Sequence, residues 1–237
     1  MEKLNIRIYF AIFATVGVLG ASFAEAGSPF RIHTEAPARE AKRYVFGYGG
    51  VMFGSSYETT GFFDYHPNAI PISWDTDEGW AAGGGFGFYS QALGGSRFEL
   101  EGSYAQNTFD TFQYDGFEGY ITGGENQINT SSVMVNFLKE VPLGGVVGYF
   151  GAGVGGAVSE FQGDLFGVGV DSRQGGFAWQ LIAGIDIPLN ERLAFFTQYR
   201  YRSIEGIEYT TFFGDFTFSA DDALANHSIL TGLRFSF

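Results

Sequence analysis

Charged residues recur at alternate positions of several strand-like segments, and they are the residues best placed for ionic chemistry. Arg97, Glu99 and Glu101 occupy every second position of one segment, as Arg200 and Arg202 do in another. Alternate residues of a strand project to the same face, so each segment would present its charges together. Because an unpaired buried charge is very costly, we expect the acids to pair with arginines. The predicted ion-pair network comprises Arg97, Glu99, Glu101, Asp186, Arg200, Arg202 and Arg234.

The three histidines, His33, His66 and His227, are the imidazole bases that could serve catalysis. His227 precedes Ser228, but neighbours in a strand point to opposite faces, which disfavours a direct Ser–His pair. His66 shares a polar connection with Asp64 and Ser73, and this spacing defines no arrangement of nucleophile, base and orienting group. We therefore predict no catalytic residues and no enzymatic activity.

Two acidic runs offer hard oxygen ligands of the kind that Ca²⁺ and Mg²⁺ prefer. Neither run carries a complete metal-loop signature, and charge that solubilises a loop is the other interpretation. The chain has no cysteine, which excludes disulfides, thiolate metal sites and a lipid-anchored cysteine. No cofactor is predicted. The weak metal candidates are Asp75, Asp77, Glu78, Asp221 and Asp222.

The segments that would position these residues alternate with a period of two, the period of β-strands. One face of each segment is apolar and often aromatic, and the other is polar or glycine-rich. We count eight such segments: 44–53, 80–89, 97–104, 132–138, 146–157, 177–187, 193–202 and 228–237.

The alternation and the composition together favour a strand barrel that is apolar on its outside. Aromatic residues make up 18% of the chain and charged residues only 16%, and glycine accounts for 36 of the 237 residues. Closing the sheet would place the charges inside and the aromatic residues against lipid, with every backbone group bonded within the protein. A barrel of this strand number is filled by its own side chains. The sequence predicts an all-β, eight-stranded antiparallel up-and-down transmembrane β-barrel.

The connections between segments alternate in length, which is typical of outer-membrane barrels. Those after the second, fourth and sixth segments are short, whereas residues 55–79, 107–128, 158–174 and 203–225 form long connections. The long connections contain 17 acidic residues and one basic residue, Arg173. We expect a strongly negative, aromatic outer surface, with hairpins in the second and fourth long connections. With a net charge of −13, the chain is a poor candidate for binding nucleic acid.

The first residues have the features of a secretory signal peptide. Lys3 and Arg7 precede an uncharged apolar run, and Ala24-Glu25-Ala26 supplies a small-x-small cleavage pattern. We predict a signal peptide over residues 1–26, cleaved after Ala26, a flexible periplasmic lead-in over residues 27–42, and the barrel over residues 43–237.

Four stretches resemble the small outer-membrane barrel family, which includes the OmpA-like transmembrane domain and the opacity proteins. They are RFELEGSY (97–104), VGYFGAGVGG (147–156), the run from Trp179 to Arg202, and LRFSF (233–237). The last strand is similar to the signal that the barrel assembly machinery recognises, although the polar position two residues before Gly232 is Leu230. The resemblance implies an assembly signal formed by Gly232, Phe235 and Phe237.

These observations lead to a functional expectation. The chain is predicted to be an outer-membrane protein of a Gram-negative-type cell, with a structural role in the envelope or a role in adhesion and ligand contact through its long connections. The expected partners are outer-membrane lipid and lipopolysaccharide, the barrel assembly machinery, and a host or basic surface ligand. A narrow or gated pore and a lipid A-modifying enzyme remain the alternatives.

Overall fold

The computed structural model describes residues 43–53, 56–63, 70–90, 93–114, 117–120, 126–165, 168–206, 209–213, 216–220 and 223–237. These residues form thirteen strands. The predicted signal peptide, lead-in and Asp221-Asp222 lie outside the described part of the chain. Among the residues described, no helix is long and apolar enough to span a membrane.

Eight of the strands close into an antiparallel barrel, which confirms the predicted fold class and strand number. They follow one another around the barrel in chain order, and β1 pairs with β13 to complete the circle. The barrel strands are β1 (Arg43–Phe53), β4 (Gly79–Ser90), β5 (Ser96–Tyr114), β7 (Gln127–Leu143), β8 (Val146–Leu165), β9 (Val168–Pro188), β10 (Leu193–Glu205) and β13 (Leu224–Ser236).

The alternation of each strand separates an outer face from an inner face. Large apolar side chains on the outer face are exposed, among them Val133, Phe86 and Leu181, at 50–61%. The intervening side chains are buried in the barrel. Because soluble monomers rarely expose apolar surface of this extent, the outer wall suits a hydrocarbon environment.

Several strands extend further than the sequence patterns indicated. Residues 158–174, predicted as a long connection, are largely paired strand, since β8 and β9 stay in register out to Leu165 and Val168. The predicted turn at 139–145 narrows to Gly144 and Gly145, because residues up to Leu143 pair with β8. Gly144 has a φ of +75°, a conformation that favours glycine.

The remaining strands belong to the long connections. They are β2 (Ser56–Phe63), β3 (Ile70–Thr76), β6 (Phe117–Tyr120), β11 (Tyr209–Phe213) and β12 (Phe216–Ala220). The hairpins predicted in the second and fourth long connections are present as β5–β6 and β11–β12. Together with β2–β3 they form one sheet in the order β11-β12-β2-β3-β5-β6, which we call the long-connection sheet.

Candidate functional site

The strand register brings the charged residues of β5 and β10 together across the barrel. These strands are four positions apart in either direction around the eight-stranded circle, so a contact between them spans the lumen. Glu101 of β5 contacts both Arg200 and Arg202 of β10. All three side chains are buried.

We call Glu101, Arg200 and Arg202 the upper cluster, and it is centred on the carboxylate of Glu101. Arg200 donates from Nη1 to Oε1 at 2.7 Å and from Nη2 to Oε2 at 3.0 Å, the bidentate geometry of a strong charge-assisted pair. Tyr48 donates to Oε1 at 2.6 Å, and Asn136 donates to Oε2 at 2.9 Å. Both oxygens of the buried carboxylate are therefore satisfied.

Arg202 is held by polar side chains as well as by the shared acid. Its Nη2 lies 3.4 Å from Glu101 Oε1, and Nε and Nη2 donate to Gln180 Oε1 at 3.0 and 2.8 Å. Its Nη1 donates to Ser103 and Ser132 at 3.0 and 2.9 Å. These bonds join β5, β7, β9 and β10 through one guanidinium.

The lower cluster contains the other predicted charges. Arg97 donates from Nη1 to Asp186 Oδ2 at 2.8 Å, and Arg234 donates to the same oxygen. Arg234 Nη2 also lies 3.6 Å from Glu99 Oε1. The structure therefore places all seven residues of the predicted network inside the barrel, in two clusters. Glu140, which sequence reasoning assigned to a turn, adds a carboxylate 3.4 Å from Arg97 Nη1.

The interior charges balance between the two clusters. The upper cluster holds one acid and two arginines, whereas the lower holds Glu99, Asp186 and Glu140 with Arg97 and Arg234. Across these described residues, four acids face four arginines. Such balance limits the large penalty that burying net charge carries.

Aromatic rings fill the space between the charges. The guanidinium of Arg97 lies 4.2 Å from the ring centre of Tyr149, and that of Arg234 lies 5.0 Å from the ring centre of Phe196. Tyr44 and Tyr48, which the sequence analysis did not assign to the network, donate to Glu99 and Glu101. Their alternation with Phe46 was the available signal.

Glycines on the inner face make room for these rings. A Cβ added at Gly184 would approach the Tyr149 ring to 2.6 Å, and one at Gly232 would approach Phe196 to 2.7 Å. Gly232, predicted as part of the assembly signal, therefore also has a packing role. Phe235 and Phe237 project outward and are 43% and 65% exposed.

The remaining candidates do not assemble into a catalytic or metal site among the described residues. Ser228 is buried inside the barrel, whereas His227 is on the outer face beside Tyr199 and Tyr201. Asp77 and Glu78 are exposed. Within the described part of the chain, no three or more His, Asp or Glu side chains are arranged so that they could hold a metal ion. His33 and His66, like Asp221 and Asp222, lie outside it, and of Asp75 only the backbone is described.

Known proteins share this architecture. A family model described as "Outer membrane protein beta-barrel domain" matches residues 12–237. Outer membrane protein OprG from Pseudomonas aeruginosa is 13% identical, with a TM-score of 0.53 over 84% of this chain and 97% of its own. Neisserial surface protein A is 14% identical, with a TM-score of 0.50 over 84% of this chain and 100% of its own. No protein of curated function matches the sequence.

Proposed function

Because this chain belongs to the outer membrane protein beta-barrel domain family, we propose that it is a non-enzymatic surface protein of the outer membrane that contacts ligands through its long connections. The observation that carries the proposal is the filled interior. Cross-lumen ion pairs, tyrosines and amides occupy the barrel from the level of Arg97 to that of Arg202. Because side chains of the barrel itself occupy its interior over this depth, the surfaces are the favoured place for ligand contact.

The long connections supply the contact surface. Their charge of −16, from 17 acids and Arg173, exceeds the net charge of the whole chain. A field of this sign attracts basic partners and speeds their association. The long-connection sheet gives this surface a backbone framework, and within the described pairings β6 and β11 are its edge strands. Strand addition at an edge would supply main-chain hydrogen bonds to a partner.

Binding of a basic probe tests this role. A fluorescent oligolysine peptide should bind vesicles that carry the protein, and the affinity should fall as salt rises. Replacing the five acids of residues 55–79 with their amides should weaken binding severalfold. Glu78→Gln and Glu191→Gln form a matched pair, because both side chains are exposed but Glu191 lies in a short turn. Equal effects of these two substitutions, or oligolysine binding that is unchanged when the five acids are replaced, would refute the role.

The targeting and assembly steps complete the proposal. We propose that the signal peptide is cleaved after Ala26, that residues 27–42 form a periplasmic lead-in, and that the long connections face the outside of the cell. The last strand would be read by the assembly machinery through Gly232, Phe235 and Phe237. In support of this assignment, the two phenylalanines are exposed on the outer wall, where a recognition surface could reach them.

A gated pore is the second candidate function, and the sharing of Glu101 by two arginines favours it. A carboxylate with two partners could exchange one for the other and so open a polar path. Single-channel recording in planar bilayers distinguishes the candidates: the surface role predicts no conductance at high protein load. Reproducible openings that change in Arg202→Gln would support the pore.

A further inference from the structure

Outward-facing polar side chains form a continuous row across five barrel strands. Strand register places Trp80 beside Gln106, Gln106 beside Asn129, Asn129 beside Glu160, and Glu160 beside Arg173. Each alternates with an inward neighbour, such as the buried Ala105, Thr130 and Ser159. We call these five residues the polar row.

Hydrogen bonds within the polar row fix its side chains. Trp80 Nε1 donates to Gln106 Oε1 at 3.0 Å, and Gln106 Nε2 donates to Asn129 Oδ1 at 3.0 Å. Arg173 Nε lies 3.1 Å from Glu160 Oε1. Because these contacts exist in the protein alone, a ligand would meet a preformed surface and would lose less affinity to side-chain ordering.

The polar row lies at the edge of the apolar wall. Below it the outer face carries Leu100, Val135 and Phe86, which are 40–56% exposed. Tyr104 lies between the two regions and is in ring contact with Trp80 of the polar row. Since amphipathic aromatic rings mark the interface between hydrocarbon and head groups, the amides of the row are at head-group level on the long-connection side.

The chemistry of the polar row suits a phosphorylated sugar. Arg173 is the one basic residue of the long connections, and its side chain is 69% exposed. A guanidinium binds phosphate through charge-assisted hydrogen bonds. Amide and carboxylate groups hydrogen-bond sugar hydroxyls, and an indole offers an apolar face to a sugar ring. Trp80 is 47% exposed.

We propose that the polar row binds the phosphorylated amino-sugar head group of lipopolysaccharide in the surrounding leaflet. Arg173 contacts a phosphate, and Glu160 both orients Arg173 and accepts from a sugar hydroxyl. Both Nε2 hydrogens of Gln106 are already donated to Gln127 and Asn129, so Gln106 accepts from a sugar hydroxyl through Oε1 and Asn129 donates to another through Nδ2. Trp80 packs against the sugar ring. This inference goes beyond the proposed ligand contact, because it concerns the lipid-facing wall, and it rests on the proposed orientation of the long connections toward the outside of the cell.

The wall also carries a surface of different chemistry for comparison. On β9, β10 and β13 the outward side chains Trp179, Tyr201 and His227 form an aromatic cluster. The described contacts of this cluster include no arginine or lysine. A phosphate-bearing head group is therefore expected on the β4–β9 wall.

Titration with lipid followed by native mass spectrometry tests the proposal on the purified, detergent-solubilised protein. The probes are deep-rough lipopolysaccharide, which retains the phosphorylated sugars, and phosphatidylglycerol, which is anionic without an amino sugar. Arg173→Gln should weaken lipopolysaccharide binding about tenfold, the loss expected for one charge-assisted hydrogen bond. Arg192→Gln removes the same charge from an exposed short turn and should leave binding unchanged.

A double variant, Gln106→Leu with Asn129→Leu, tests the sugar contacts separately. It should weaken lipopolysaccharide binding and leave phosphatidylglycerol binding as it was, while Thr231→Leu on β13 serves as the control outside the row. Heat-modifiable migration on a detergent gel checks that each variant is folded. Equal affinity for the two lipids, wild-type affinity in Arg173→Gln, or an equal loss in Arg192→Gln would overturn the proposal. The oligolysine assay does not depend on these residues' contact with lipid, so the two proposals can fail separately.

Discussion

Replacing Glu101 with glutamine should destabilise the barrel far more than replacing Arg202 with glutamine. Both changes remove one charge from the upper cluster and keep a hydrogen-bonding side chain of similar size. They differ in what remains. Glu101→Gln leaves Arg200 and Arg202 buried without the carboxylate that both contact, whereas Arg202→Gln leaves the bidentate Glu101–Arg200 pair intact.

The expected magnitudes follow from these contacts. Removing one partner of a buried ion pair costs about 3–5 kcal/mol, and Glu101 serves two arginines at 2.7 and 3.4 Å. We therefore expect Glu101→Gln to lower the free energy of unfolding by at least about 3 kcal/mol. Arg202→Gln loses bonds to Gln180, Ser103 and Ser132 but leaves one acid paired with one arginine in the upper cluster. A loss of about 1–2 kcal/mol is expected.

Urea unfolding in lipid vesicles, followed by tryptophan fluorescence and by migration on cold detergent gels, measures both variants against the wild type. The two variants carry charge changes of opposite sign, so comparison at several salt concentrations separates a surface-charge effect from the buried one. An Arg202→Gln protein less stable than Glu101→Gln would show that the two arginines do not depend on Glu101 in this way. So would a Glu101→Gln protein with wild-type stability.

Three further predictions concern packing, assembly and processing. Gly184→Val should lower the free energy of unfolding by about 1–3 kcal/mol through overpacking, because a Cβ at this position would meet Tyr149 at 2.6 Å. Gly102→Ala, where an added Cβ has nothing within 4 Å, should be nearly neutral. Unfolding midpoints of the two variants check this difference, and equal effects would contradict it. Phe237→Ala should slow insertion by the assembly machinery while the protein still folds in detergent, because the outward ring of Phe237 is 65% exposed and contributes little to the stability of the barrel. A pulse-chase of gel migration compares its insertion rate with that of Leu233→Ala. Equal insertion rates would argue against an assembly signal at Phe237. N-terminal sequencing of the exported protein should begin at Gly27, and an intact Met1 would contradict cleavage after Ala26.

The alternation of apolar and charged residues along each strand was sufficient to predict the barrel and to identify the side chains that point into it. Once Glu99 is inside, strand geometry puts Arg97 and Glu101 inside with it. Aromatic residues on the opposite face then identify the lipid side. The same reasoning applies to Asp186, Arg200 and Arg234, and the structure places all of them in the interior.

Which acid pairs with which arginine in the network could not be predicted from this alternation. Which residue of β10 meets Glu101 across the lumen depends on the stagger of the strands, and the stagger is a property of the closed barrel rather than of any one strand. Tyr44 and Tyr48 were missed because tyrosine suits a lipid interface as well as a polar interior. Glu140 was missed because short-turn residues and the ends of strands have similar compositions.

The extent of β8 and β9 was also underestimated. Their outer parts are polar and glycine-containing, so they carry the composition of a loop. Pairing between the two strands nevertheless continues to Leu165 and Val168, because backbone hydrogen bonds along a hairpin do not require an apolar face. This extension is also what brings Glu160 and Arg173 into the polar row.

In the membrane, the apolar face of each strand should contact hydrocarbon while the charged face is enclosed. Photoactivated labelling from lipid acyl chains in vesicles, mapped by peptide mass spectrometry, tests it directly. Labels should appear on outward residues such as Val133, Phe86 and Leu181, and none should appear on the buried Gln180, Asn136 and Arg200. Labelling of both sets alike, or of the buried set alone, would contradict it.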